Sequence, residues 1–204
     1  MLSVSDLSCS RGDRRLFSGV DFTLKSGCCV HIEGDNGVGK TSLLRIVSGL
    51  SPAAGGSVEW EGVAIHHNAA FRAARMYLGH QLALKEDLSA LENLHFDAAI
   101  AGRPLSDANA LAALVQLGLK GRAHLPVRVL SQGQKRRAAL ARLSASRATL
   151  WILDEPLVAL DRSAQTQVCA LLQSHLASGG MALVTSHQPL QLLCAHCTTY
   201  RLQA

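Results

Sequence analysis

No apolar run in these 204 residues reaches the roughly 18 to 20 needed to cross a bilayer as a helix. Even Leu150-Trp-Ile-Leu153 stops at the acidic Asp154. The opening segment Met1-Leu-Ser-Val-Ser-Asp6 has neither the basic block nor the apolar block of a secretory signal. A membrane-spanning or secreted chain is therefore not expected, and the cytosol is the expected compartment. Charge is also scarce: Asp, Glu, Lys and Arg make up 17% of the chain against 48% hydrophobic residues, which excludes a disordered polymer. Internal repeats and low-complexity linkers are missing too, so residues 1–204 read as one domain built of subdomains.

Six cysteines are present, at 9, 28, 29, 169, 194 and 197. A disulfide framework is not expected in a cytosolic domain with an adequate core. Cys194-Ala-His-Cys197 has half the spacing of a zinc site but no second pair to complete it, so buried or idle thiols are the expectation. The net charge of +5 is spread out except at Lys135-Arg-Arg137. That triplet reads as a solvated helix face rather than a patch for nucleic acid or lipid.

Val20-Asp-Phe-Thr-Leu24 and Val58-Glu-Trp-Glu-Gly62 alternate apolar and polar residues, as half-buried antiparallel strands do. Cys29-Val-His-Ile32, Leu150-Trp-Ile-Leu153 and Ala182-Leu-Val-Thr185 are short and mainly apolar, which suits central strands of a parallel sheet covered on both faces. Ser89-Ala-Leu-Glu92 has capping-box spacing and opens a helix that stops at Gly102. Ser106 opens another, with Leu111, Leu114 and Val115 expected on its buried face and Gly118 at its end. Residues from about 82 to 130 thus form a mostly helical insert in an α/β chain.

Three motifs carry chemistry. Gly34-Asp-Asn-Gly-Val-Gly-Lys-Thr41 fits the phosphate-binding loop pattern in full, between a strand and the helix that begins with Thr41 and Ser42. Gly34, Asp35, Asn36, Gly37, Val38 and Gly39 make up the loop itself and are expected around the phosphates. Its glycines let the backbone curl so that N–H groups converge on phosphate, and the helix start adds partial positive charge. Lys40 is expected on the β- and γ-phosphates and the Thr41 hydroxyl on Mg²⁺. Leu150-Trp-Ile-Leu-Asp-Glu-Pro156 ends an apolar strand in two carboxylates, which are costly to bury without a compensating cation. Mg²⁺ held through Asp154 supplies one, and Glu155 is then placed to deprotonate an attacking water. Leu130-Ser-Gln-Gly-Gln134 precedes a helix over 135–143, and Ser131 with Gln134 has capping-box spacing. Its hydroxyl, flexible glycine and free N–H groups make a second anion site in a chain that already has one.

Leu130-Ser-Gln-Gly-Gln134 resembles the ABC signature Leu-Ser-Gly-Gly-Gln, and the order of motifs resembles that of ABC ATPases over nearly the whole chain. The resemblance implies a P-loop NTPase fold of ABC type, with a mainly parallel core sheet, an antiparallel β subdomain and a helical insert. It implies two copies docked head to tail, with Ser131, Gln132, Gly133 and Gln134 of each gripping the γ-phosphate held by the other. Gln81 matches the glutamine that senses Mg²⁺ and the γ-phosphate, Asp161 the residue of the loop along the dimer seam, and His187 the switch histidine that contacts the γ-phosphate and the water. Two positions depart from the pattern. Arg11 stands near the place of the aromatic residue that stacks on adenine, where a guanidinium also stacks, and Gln132 replaces the first signature glycine.

Tyr77-Leu-Gly-His-Gln-Leu-Ala-Leu-Lys85, followed by Leu88-Ser-Ala-Leu-Glu-Asn-Leu94, is more particular and resembles the CcmA family, the ATPases of bacterial haem export for cytochrome c maturation. That resemblance implies an ATPase/translocase bound peripherally to the cytoplasmic face of the inner membrane. Its implied partners are integral membrane subunits of the CcmB and CcmC type and, indirectly, a periplasmic haem chaperone. No haem is expected on this chain, despite nine histidines that include His66, His67 and His80, because no haem-attachment spacing occurs. No nucleic acid is expected as a partner. The ATPase of a different lipid or drug exporter is the alternative. A soluble two-cassette ATPase lacks support, and a small kinase or GTPase is opposed by the signature and by the absence of Asn-Lys-x-Asp.

Overall fold

The computed structural model describes residues 1–186 and 197–203. They divide into two compact units: residues 1–79, 148–156 and 173 onward in the first, and 80–147 with 157–172 in the second.

The first unit holds two sheets. Strands β1 (Leu2–Arg11), β2 (Arg14–Leu24), β4 (Gly55–Trp60) and β5 (Val63–Ala64) form an antiparallel sheet in the order β2-β1-β4-β5. The buried side of β1 changes phase along its length, from Leu2 and Val4 to Leu7 and Cys9. A bulge makes the change: the pairing shifts register between Val4 and Leu7, and Asp6 takes a φ of 46°. Gly56 lies against this kink, where the backbone of Ser5 and Asp6 leaves no room for a side chain.

Strands β3 (Cys29–Glu33), β6 (Arg75–Leu78), β7 (Leu150–Asp154), β8 (Met181–Thr185) and β9 (Cys197–Arg201) make a parallel sheet ordered β6-β7-β8-β3-β9. β7 and β8 are buried at every position, which explains their unbroken apolar runs. Helix α1 (Lys40–Val47) touches β1 of the first sheet and β7 and β8 of the second. Its Leu43, Leu44 and Val47 join Leu2, Phe17, Ile152 and Leu183 in one core. Helix α2 (Ala69–Ala74) is capped by the Asn68 side chain, which accepts from the Phe71 amide at 3.0 Å.

The second unit contains α3 (Ala90–Ile100), α4 (Asp107–Gln116), α5 (Gln132–Ala145) and the first part of α6 (Arg162–Ala177). It extends past the 82–130 span read from the sequence because α5 packs on both α3 and α4. Two expectations need correction. The buried face of α4 is Ala110, Ala113, Leu114 and Leu117, while Val115 is 47% exposed. Leu114 is buried as expected, and the rest of the stripe falls on Ala110 and Ala113 in place of Val115. Nor are Lys135, Arg136 and Arg137 a solvated face: Arg136 is 5% exposed and donates to the His80 carbonyl at 3.4 Å, and Lys135 pairs with Glu86 at 2.8 Å. Long stems lie on apolar surface while their heads find oxygen acceptors. Cys9, Cys28 and Cys169 carry free thiols, and Cys194 lies outside the described residues.

Candidate functional site

β3 delivers the chain into residues 34–39, where three glycines take positive φ: 150° at Gly34, 83° at Gly37 and 110° at Gly39. Two are also fixed by close approach. A Cβ at Gly34 would lie 2.8 Å from the Leu202 carbonyl oxygen, and one at Gly39 would lie 3.0 Å from the Phe17 ring. Asp35 and Asn36, between the first two glycines, are exposed, whereas Val38 turns into the core. The loop is thus anchored by Val38 and leaves its polar residues to solvent. α1 begins with Gly39 as N-cap, no side-chain cap and no acid in its first turn. Its leading N–H groups and dipole therefore face outward as an anion cradle. The Lys40 ammonium folds back over the loop and donates to the carbonyls of Gly34 at 2.6 Å and Asp35 at 3.2 Å.

The register Asp154↔Thr185↔Ile32 brings the carboxyl ends of three central strands level beneath this loop, where open α/β sheets bind ligands. Asp154 is 2% exposed, and both its oxygens are engaged. Oδ2 accepts from the Thr41 hydroxyl and Oδ1 from the Thr185 hydroxyl, each at 2.8 Å. Glu155 adopts a left-handed φ of 51°, and its N–H donates to Thr185 Oγ1 at 3.0 Å. Burial, then the negative charge of Asp154, pushes the Tyr77 phenol above its ordinary pKa.

A cleft of about 260 Å³ joins these pieces. Asn36, Gly37 and Gly39 of the loop line it together with Lys40 to Ser42, and Asp154 and Glu155 line it from the strand end. Arg11 and Leu16 complete the wall. Thr41 Oγ1 and Asp154 Oδ2, two hard oxygens 2.8 Å apart, are the donor chemistry that suits Mg²⁺. The residues present therefore fit that ion. A neighbouring hollow of about 390 Å³, with Arg14 and Arg201 on its walls, also reaches Asn36 but holds neither Lys40 nor the two carboxylates.

The other residues singled out from the sequence belong to the second unit. Ser131 caps α5 in a reciprocal box with Gln134, accepting from its amide at 3.3 Å while Gln134 Oε1 takes the Ser131 amide at 2.9 Å. Gln132 is the first residue of α5. At Gly133 a Cβ would stand 3.1 Å from the Ala159 carbonyl oxygen. Asp161 Oδ1 accepts from the Ala164 amide at 2.8 Å at the start of α6. Gln81 is exposed, just past β6. His187 lies outside the described residues; before it, the buried Ser186 places its carbonyl 3.2 Å from His31 Nε2. Sequence reading missed the wall that Leu16 and Phe17 form against Gly39, and took Thr185 only as the end of a strand. The one available signal for Thr185 was a hydroxyl closing an otherwise apolar run.

A family model described as ABC transporter matches residues 17–158. The chain is similar to the cytochrome c biogenesis ATP-binding export protein CcmA of Dechloromonas aromatica, at 49% identity over 94% of this chain and 95% of that protein. It is also similar to proteins of the same description from Nitrosospira multiformis, at 49% identity over 92% and 91%, and Pseudomonas aeruginosa, at 46% over 94% and 95%. A putative ABC transporter ATP-binding protein from Pyrococcus furiosus superposes with a TM-score of 0.85 at 25% identity, covering 97% of this chain and 96% of that one. A dimeric ATP-binding cassette in a post-hydrolysis state, bound to ADP and Pi, shares the fold with a TM-score of 0.82 at 24% identity, over 92% and 88%. With a phosphate loop, a strand-end carboxylate pair and a signature-type helix start on that fold, the chain belongs to the ABC transporter ATP-binding family, among the CcmA cytochrome c biogenesis ATP-binding export proteins.

Proposed function

We propose that this chain is the ATP-hydrolysing subunit of an ABC complex that serves haem export in cytochrome c biogenesis. The observation that carries the reading is the meeting of Lys40, Thr41, Asp154 and Glu155 in one cleft at the start of α1. It is supported by the 49% identity to the CcmA protein of Dechloromonas aromatica.

In this reading the backbone amides of 34–42, those of Asp35 and Asn36 among them, hold the triphosphate with the Lys40 ammonium. Arg11 lies flat on the base. Thr41 and Asp154, with Gln81, hold Mg²⁺, which when bound neutralises phosphate charge. The Glu155 carboxylate takes a proton from the attacking water, and His187 contacts the γ-phosphate. Ser131 to Gln134 act on the nucleotide held by a second copy, and Asp161 serves the seam between copies. Most of the rate acceleration comes from positioning and electrostatics, as phosphoryl transfer requires. The chain then works as a peripheral protein on the cytoplasmic face of the inner membrane, bound to CcmB- and CcmC-type subunits.

The test is a pair of variants assayed with the membrane subunits present. Glu155→Gln is expected to bind ATP normally, to lose turnover by about 10² to 10³-fold or more, and to accumulate as an ATP-bound dimer by light scattering. Lys40→Ala is expected to lose nucleotide binding. Full turnover by Glu155→Gln, or undiminished binding by Lys40→Ala, rejects the site. Failure to copurify with cytochrome c maturation subunits rejects the pathway.

A further inference from the structure

We infer that Thr185 is a positioning residue for hydrolysis: one buried hydroxyl sets the Asp154 carboxylate and the Glu155 backbone together. The inference rests on the reading of Asp154 and Glu155 as the metal-holding and proton-accepting pair.

Thr185 is 0% exposed and closes β8, opposite Asp154 on β7. A hydroxyl carries a single hydrogen. Here it goes to Asp154 Oδ1 at 2.8 Å, and a lone pair of the same oxygen receives the Glu155 N–H at 3.0 Å. Donor and acceptor are both used inside the protein, so the hydroxyl has no rotational freedom left.

Two consequences follow from that locking. Committing Oδ1 fixes the plane of the Asp154 carboxylate and leaves Oδ2 toward Thr41, 2.8 Å away, on the metal-holding side. Glu155 departs from the strand with a φ of 51°, a conformation that non-glycine residues rarely hold without support. A turn of that kind takes its N–H out of the ladder. The Thr185 oxygen accepts the N–H, so the left-handed turn that aims the Glu155 side chain is held by the same atom that orients its neighbour. Valine has the same shape but supplies neither bond. Leu183 and Val184, which precede it on β8, are apolar and fully buried.

The experiment compares Thr185→Val, Thr185→Ser and Glu155→Gln in steady-state ATPase assays across Mg²⁺ concentrations. Binding of a fluorescent ATP analogue without turnover and thermal melting of the nucleotide-free protein accompany them. Thr185→Val is expected to lose about 10 to 10²-fold in kcat, because the pair is displaced. Its KM for ATP should stay within about threefold, because Lys40 and the glycine loop are untouched. The Mg²⁺ concentration for half-maximal analogue binding should rise several-fold, and Thr185→Ser should recover most of both losses. If Thr185→Val does not fold, Thr185→Cys, whose thiol is a weaker donor and acceptor than a hydroxyl, is expected to fall below Thr185→Ser in kcat, and a Thr185→Cys variant with wild-type kcat would overturn the inference. Wild-type kcat and Mg²⁺ dependence in Thr185→Val overturn the inference. So do equal losses in valine and serine variants, since bulk and not the hydroxyl would then matter. Wild-type turnover by Glu155→Gln would instead overturn the reading on which the inference stands.

Discussion

Non-glycine residues in the left-handed region are uncommon in folded chains, yet Ala83, Glu155 and Ala159 all hold it, at φ values of 51°, 51° and 60°. Each lies beside a position singled out from the sequence: Gln81, the Asp154–Glu155 pair and Asp161. Backbone strain persists where surrounding structure over-determines it, and such places are commonly functional. The glycines divide in the same way. Gly39→Ala must meet both a φ of 110° and the Phe17 ring at 3.0 Å. It is expected to lower unfolding free energy by about 1–3 kcal/mol and to weaken ATP binding. Gly12→Ala, with a φ of 60° and open space around it, is expected to cost about 1 kcal/mol and leave binding alone. Urea denaturation with nucleotide titration separates the two, and equal effects would show that the packing against β2 does not matter.

Helix boundaries in the second unit were largely legible because caps are local. Ser89 and Glu92 form the reciprocal box that their spacing announces, and Ser131 and Gln134 do the same. The Glu92 carboxyl is held below its ordinary pKa by the Ser89 amide and hydroxyl. Which face of a helix is buried was less legible: α4 buries Leu114 as expected but pairs it with Ala110 and Ala113 and leaves Val115 exposed, because the neighbours a helix packs on decide which stripe is covered. Asn93 shows a support no pattern reveals. It is 3% exposed, accepts from the Lys85 amide at 2.8 Å and donates to the carbonyls of Lys85, Leu88 and Ser89. Ser89→Ala is expected to cost about 1 kcal/mol through the lost cap. Asn93→Ala should cost more, about 2–4 kcal/mol, because buried backbone groups lose their partner. Chemical denaturation ranks the two, and the opposite order would mean that this loop is not held by Asn93.

At the scale of the molecule, burial sets an acid limit. His175 on α6 stacks on Trp151 of β7 with centroids 3.7 Å apart and planes 5° from parallel. Burial holds its pKa below the ordinary value, against the opposing contacts with the Met181 and Thr149 backbone. The folded chain thus prefers neutral imidazole while the unfolded chain protonates normally. Stability from this group is complete above the unfolded pKa of about 6.5 and is lost as the pH falls through the lower folded value. The melting temperature of the wild type is therefore expected to drop more steeply between pH 7 and 5 than that of His175→Phe, which keeps a ring on Trp151 without the charge. Parallel pH profiles would remove His175 from the acid limit.

What the linear chain determined by itself is what depends on neighbours in sequence. The glycine loop, the capping boxes, the alternating and the unbroken apolar strands, and the order of motifs from Gly34 to His187 all belong to that class, since steric freedom, hydrogen-bond reach and periodicity act over a few residues. What tertiary structure decided is what depends on residues far apart: the Phe17 wall behind Gly39, the burial of Arg136, the inward face of α4, and the Thr185 hydroxyl shared between Asp154 and Glu155. The register of β7 against β8 places that hydroxyl beside the carboxylates, and a pairing between residues 31 positions apart leaves no trace in either strand alone.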